Sequence, residues 1–134
     1  GDTPLIWASR YGHDSTIKHL VDAKVDIEAK TYYGDTPLIW ASRNAHESAV
    51  KLLIDAKANI EAKNNDGDTP LISASRYGHE SAVKHLIDAK ANIEAKNNDG
   101  DTPLISASRY GHESAVKHLV DAKANIEAKN NDGT

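Results

Sequence analysis

The short segment NNDGD is rich in side-chain oxygens, which are the ligands that Ca²⁺ prefers in proteins. It begins the stretch NNDGDTPLI at residues 64–72, which returns unchanged at residues 97–105. A helix–loop–helix calcium site needs ligands at alternating positions through about twelve residues and closes with a bidentate glutamate. Here Pro70 starts a predicted helix directly after the loop, and no such glutamate follows. We therefore interpret the loop as a turn at Gly67, with weak cation binding by a row of repeated aspartates as the alternative: Asp35, Asp68 and Asp101.

Seven histidines invite a metal-binding interpretation because they recur at two fixed positions of the sequence. The first position holds His13, His46, His79 and His112, and the second holds His19, His85 and His118. On stacked helices, equivalent residues lie roughly 8–10 Å apart, whereas each ligand of a zinc ion must reach it at about 2.0–2.1 Å. No metal site is therefore predicted. The second set is expected on a solvated outer helix face.

Serine, histidine and aspartate also recur together, which raises the question of a catalytic triad. The sequence contains no Gly-x-Ser-x-Gly elbow, no phosphate-binding loop and no His-Glu-x-x-His motif. Identical copies of a catalytic group at regular intervals would serve little purpose. We predict that the protein is not an enzyme and needs no cofactor.

The composition excludes several further classes of function. The chain has 134 residues, no cysteine and a formal net charge of −4. Disulfides and thiolate metal sites are therefore excluded, and the basic patch of a nucleic-acid binder is missing. No apolar run approaches the roughly 20 residues that cross a bilayer. We expect a cytoplasmic protein that binds neither nucleic acid nor membrane.

A period of 33 residues organises the whole sequence. Four units, called units one to four below, cover residues 1–33, 34–66, 67–99 and 100–132, and the whole chain, residues 1–134, is predicted to form one domain. Units three and four differ only at Ile87 and Val120. Unit one departs most from the others.

Unit three shows the elements that each unit is predicted to contain. Thr69 and Pro70 form a helix start, and the first helix is predicted over residues 70–77, ending at Gly78. The apolar spacing predicts a second helix over about residues 80–89. The segment ANIEAK that follows alternates weakly and is predicted to be extended, before NNDG forms the turn. Because one unit cannot bury its apolar stripe alone, the units are expected to stack.

The repeated sequence GDTPLIxASRYGHESAVKxLIDAKANIEAK resembles the ankyrin repeat, whose motif runs through G-x-TPLH-x-AA-x-x-GH and ends its second helix with LL-x-x-GA. The resemblance covers the chain four times and implies an all-α ankyrin-repeat solenoid with β-hairpin-like loops. Isoleucine replaces the family histidine, and serine replaces the second alanine. Lysine replaces the glycine at the end of the second helix. If these lysines are left-handed, each costs roughly 1 kcal/mol relative to glycine. They are Lys24, Lys57, Lys90 and Lys123, and Ala45 raises the same question in unit two.

The resemblance implies a non-catalytic module that binds a protein partner through its concave groove and hairpin tips. Trp, Tyr and Arg dominate interface hot spots, and all seven aromatic residues fall at positions that the repeat core does not need. Packing of these aromatics along the first helices is the alternative reading. The residues predicted to bind a partner are Trp7, Arg10, Tyr11, Tyr32, Tyr33, Asp35, Trp40, Arg43, Asn44, Asp68, Arg76 and Tyr77.

A structural role is the alternative function, and the near-identity of units three and four favours it. In that case the chain is a spacer, or an excised or engineered slice of a longer array, with no specific ligand. Neither end has a dedicated capping repeat with a polar outer face. We therefore expect head-to-tail self-association through the uncapped ends.

Overall fold

The computed structural model describes residues 1–133, and in this range it contains eight α-helices and no β-strand. The helices are too short to cross a membrane, since the longest have nine residues. They are α1 Pro4–Tyr11, α2 Asp14–Asp22, α3 Pro37–Arg43, α4 Glu47–Asp55, α5 Pro70–Arg76, α6 Glu80–Asp88, α7 Pro103–Arg109 and α8 Glu113–Asp121. The predicted all-α solenoid is confirmed.

The first helix of each pair starts at the predicted Thr-Pro dipeptide. In α5, the Thr69 hydroxyl accepts a hydrogen bond from the backbone N–H of Ile72 at 3.2 Å. Pro70 occupies the first turn, where its missing N–H leaves no helical bond unmade. The helix ends at Arg76, one residue earlier than predicted, and Gly78 follows in the left-handed conformation with φ 70°.

The second helices end in a left-handed residue that is a lysine instead of glycine. After α6 ends at Asp88, one residue before the predicted end, Lys90 adopts φ 72°. The Lys90 N–H donates to the Ile87 carbonyl at 2.9 Å and the Ala91 N–H to the Leu86 carbonyl at 3.0 Å, which closes the helix. The lysines that replace the family glycine are therefore left-handed, and so is the alanine in unit two. Positive φ angles are found at Lys24, Ala45, Lys57, Lys90 and Lys123.

The helices stack in two layers that enclose a core of aliphatic side chains. The first layer is α1, α3, α5 and α7, and the second is α2, α4, α6 and α8, with neighbours in contact along each layer. Ile72 stands where the family has histidine and is completely buried, as is Leu86 from the second layer. Ser75, which replaces the family alanine, is also completely buried, and its hydroxyl has no hydrogen-bond partner.

The connection after each second helix differs from the extended segment that ANIEAK predicts. In unit three it contains a turn at Ile93 and Glu94. The Asn92 side-chain oxygen accepts a hydrogen bond from the Glu94 N–H at 2.9 Å. An asparagine side chain can replace a backbone carbonyl in this way and thereby favours a turn over an extended strand. The prediction of an extended segment is therefore wrong at its centre, whereas the NNDG turn is confirmed.

The left-handed lysines lead to a prediction about stability. Replacing Lys90 by glycine removes the steric conflict of a Cβ atom at positive φ and should raise the free energy of unfolding by about 1 kcal/mol. The matched control is Lys84→Gly in the interior of α6, where the same change should lower it by about 1 kcal/mol. Urea denaturation of both variants measures the difference. A Lys90→Gly variant less stable than the wild-type chain would contradict the strain argument.

Candidate partner-binding groove

An aspartate precedes the first helix of each unit and pairs with the arginine near the end of that helix, and in units two to four it is buried. Arg76 donates from Nη1 to Asp68 Oδ2 at 2.8 Å and from Nη2 to Asp68 Oδ1 at 3.1 Å. The Asp68 side chain is only 1% exposed. The same two-bond arrangement joins Arg43 to Asp35 and Arg109 to Asp101, with a single bond between Arg10 and Asp2.

In units two to four, the loop at the end of the same unit supplies a third bond to the carboxylate. Asn97 Nδ2 donates to Asp68 Oδ1 at 2.9 Å. Its other side-chain atom, Oδ1, accepts from the N–H groups of Asp99 and Asp101 and so holds the NNDGD turn. Asn64 and Asn130 make the equivalent bonds to Asp35 and Asp101. The repeated loop is therefore a junction between units, and the carboxylates considered as cation ligands are already bound by arginine and asparagine.

A row of stacked cations and aromatic rings runs along the first helices of units one and two. The Arg10 guanidinium lies between two indoles, 4.6 Å from the ring centroid of Trp7 and 4.1 Å from that of Trp40. Arg43 covers the Trp40 ring at 4.7 Å. On the other side, Tyr11 stacks on Trp7 at 6.0 Å. These rings therefore pack along the first helices, and Trp7 nevertheless remains 47% exposed.

Nine of the twelve predicted residues line one open cleft of about 570 Å³. They are Arg10, Tyr32, Tyr33, Asp35, Trp40, Arg43, Asp68, Arg76 and Tyr77. Tyr32 and Tyr33 meet edge to face at one wall and are the most exposed, at 88% and 68%.

The other three predicted residues lie outside this lining. Trp7 and Tyr11 continue the aromatic row beyond it. The Asn44 side chain donates to the Arg10 carbonyl at 3.2 Å and so connects units one and two.

The lining contains residues that the sequence reasoning did not select. Asp66 joins the cleft with an exposed side chain, and Asn64 lies beneath it, where its amide supports Asp35. The sequence signal for Asn64 is the recurrence of asparagine three residues before the GDTP segments of units three and four. Asp35 and Asp68 were selected as contact residues, but the structure places them below the surface, where they orient Arg43 and Arg76.

The cleft reaches unit three through Asp68, Arg76 and Tyr77, but the tryptophans do not continue there. Serine occupies the tryptophan position in units three and four, and Ser73 is 1% exposed with a hydroxyl that has no hydrogen-bond partner. Ser106 is the same in unit four. The row of tryptophans stacked with arginines therefore lies in units one and two.

Two histidines of each set connect neighbouring units. His79 Nε2 donates to the Arg43 carbonyl at 2.6 Å, and His46 bonds the Arg10 carbonyl at 2.8 Å. In the second set, His85 approaches Glu47 at 3.1 Å and His118 approaches Glu80 at 3.0 Å. His85 and His118 therefore contact the preceding unit and are only partly exposed to solvent. The expectation that the second set of histidines lies on a solvated outer helix face is wrong for these two residues. His19 remains exposed.

These contacts shift the pKa of two groups. Burial lowers the pKa of His79 from its ordinary 6.5, and the neighbouring His112 and His46 add to this, while the bond to the Arg43 carbonyl opposes it. The hydrogen bond from His85 lowers the pKa of the exposed Glu47 carboxyl.

The stacked helix pairs, with capped first helices and a cross-unit loop junction, define an α-helical repeat solenoid. A family model described as ankyrin repeats (3 copies) matches residues 1–64 and 56–130. The chain therefore belongs to the ankyrin repeat family, whose members generally act as protein-interaction modules. A comparison with curated proteins gives no match.

The lowered pKa of His79 predicts a pH dependence of stability. Above about pH 6.5, the unfolded-state pKa, the contribution of this group to stability is fully present. As pH falls below that value, the unfolded chain binds the proton more readily, so this contribution is lost until the folded pKa is reached.

A His79→Gln variant should therefore lose less stability than the wild-type chain between about pH 7.5 and pH 5.5, the range in which histidine titrates. His19→Gln is the control, since that imidazole is exposed. Urea denaturation across the pH range measures the effect. Parallel stability curves for the wild-type chain and the His79 variant would show that burial of His79 has no influence.

Proposed function

We propose that the chain is a non-catalytic binding module that holds a protein partner in this cleft and on the aromatic row beside it, centred on units one and two. The observation that carries the proposal is the cleft itself, where exposed aromatic rings stand beside arginines that are fixed from below. In this proposal Trp7, Trp40, Tyr32, Tyr33 and Tyr77 supply contact area to the partner. The arginine head groups supply directional hydrogen bonds at the same surface.

The fixed geometry of the arginines supports a recognition role. Arg43 is held by two bonds to Asp35 and by the face of Trp40. A side chain that is ordered before binding loses less conformational entropy when a partner arrives. The buried aspartates thus contribute to binding indirectly, by preorganising the surface.

The exposed area supports the same location. Trp7 and Tyr77 are each about half exposed, at 47% and 48%, and both belong to residue types enriched at interface hot spots. Units three and four carry serine at the tryptophan position, so their surfaces offer a partner less aromatic area. The proposed binding centre therefore lies in units one and two.

The proposal includes one domain, residues 1–134, with four repeats over residues 1–132, and a cytoplasmic location, as expected from the sequence. It involves no catalytic step and no cofactor. Its competitor is the structural spacer, in which the same surface has no specific ligand.

Selection from a displayed library of random peptides tests the proposal, with the wild-type chain as bait. Selected peptides should bind Trp7→Ser/Trp40→Ser at least about thirtyfold more weakly, because loss of a hot spot costs about 2 kcal/mol. The serines copy the residues of units three and four, so this variant should fold, which circular dichroism checks. Tyr110→Ala is the control, since Tyr110 is 54% exposed and lies outside the cleft lining.

Two results would contradict the proposal. Selected peptides that bind the double-serine variant and the wild-type chain equally would place the binding surface elsewhere. A selection that enriches no binder would favour the structural spacer.

A further inference from the structure

The contacts between neighbouring units repeat along the array. At the joint between units three and four, Glu80 accepts from His118 at 3.0 Å. In the same joint, Glu94 Oε2 accepts from the Asn125 N–H at 2.8 Å. Corresponding bonds join units two and three, from His85 to Glu47 at 3.1 Å and from the Asn92 N–H to Glu61 at 2.8 Å. Each unit therefore presents acceptors on one face and the matching donors on the other.

The face formed by α7 and α8 carries the acceptor half of this set. Glu113 and Glu127 hold the repeat positions of Glu80 and Glu94, and both are exposed. The same face also exposes apolar side chains at positions that are covered by the next unit in the interior of the array. Ile126 is 69% exposed and lines an open recess of about 590 Å³.

Equivalent residues inside the chain show what covers such a face. Val50 and Val83 are completely buried, whereas Val116 at the same repeat position is only partly buried. Val120 is 41% exposed, while its counterpart Ile87 is partly buried. The difference is the presence of a following helix pair, so the complementary surface is the opposite face of a repeat unit.

That opposite face is presented by α1 and α2. His19 holds the position of the donors His85 and His118, and it is exposed. Leu20 is only partly buried, whereas Leu86 and Leu119 at the equivalent positions are completely buried. The donor half of the joint and an uncovered leucine therefore lie together on this face.

We propose that a second copy of the chain docks head to tail, with its α1 and α2 on the α7 and α8 face of the first. His19 of the second copy then pairs with Glu113, and Leu20 of the second copy enters the apolar recess beside Val116 and Val120. This contact uses two different surfaces, so it can propagate to further copies.

The contact is weaker than an interior joint. Exposed Thr16 stands where the interior units have a buried alanine, such as Ala82, so part of the α2 face is polar. The two copies also lack a covalent connection and lose translational freedom on docking. The association is therefore reversible and depends on concentration.

Sedimentation equilibrium of the whole chain tests the docking with one blocked variant for each face. Val120→Lys places a charge on the acceptor face, and Thr16→Lys places one on the donor face; both positions are exposed, so both variants should fold. The wild-type mass should rise with concentration. Each variant alone should associate at least about tenfold more weakly. An equimolar mixture should form one-to-one dimers, because each variant keeps the face that the other lacks.

Tyr32→Lys is the matched control, since Tyr32 is 88% exposed and lies on neither face; it should associate as the wild-type chain does. A wild-type chain that stays monomeric up to about 1 mM would overturn the proposal, since that concentration detects even weak affinities. Unimpaired association of either single variant, or a mixture that remains monomeric, would also overturn it. If Tyr32→Lys weakened association as much as the two face variants do, the contact between copies would lie in the cleft, and the proposal would be overturned.

Discussion

A buried carboxylate with three hydrogen bonds is the interaction on which the rest of the array depends. Asp68 lies almost entirely out of solvent, where an unpaired charge would cost several kcal/mol. Arg76 supplies two of the bonds, and Asn97 supplies the third from the loop at the end of the same unit. Because the Asn97 side-chain oxygen also accepts from the N–H of Asp101 in unit four, neighbouring units cannot shift relative to one another without disturbing the contacts of this asparagine. The aliphatic core drives the units together, and these polar contacts fix their register.

The same constraint links the interior to the proposed binding surface. The aspartate holds the guanidinium of the arginine in its unit, and the arginines of units one and two lie against Trp7 and Trp40. Where serine replaces tryptophan, the Asp–Arg pair persists without the aromatic partner, as in unit three. The pair is therefore part of the repeat architecture, and the tryptophans add the surface that distinguishes units one and two.

Much of the fold could be predicted because local rules and the period agree. Thr69 and Pro70 start a helix, Gly78 permits the left-handed residue after it, and four copies require stacking. The role of Asp68 could not be predicted, because its arginine lies eight residues away and its asparagine lies 29 residues away, at the end of the unit. Only the completed helix and the loop after the second helix bring these groups together. The weak apolar alternation of ANIEAK predicts an extended segment, but the Asn92 side chain accepts from the Glu94 N–H and stabilises a turn instead.

A double-mutant cycle on the bond between Asp68 and Asn97 is the most direct test of this account. Asn97→Asp retains the oxygen that holds the turn but places two carboxylates next to each other. Asp68→Asn weakens the pairing with Arg76. Together the two changes exchange the amide and the carboxylate, so that a bond between the two side chains can form again. Urea denaturation should show the double variant more stable than the sum of the single changes by at least about 1 kcal/mol. Additivity within about 0.5 kcal/mol would mean that the carboxylate does not hold the junction loop, and would contradict the account.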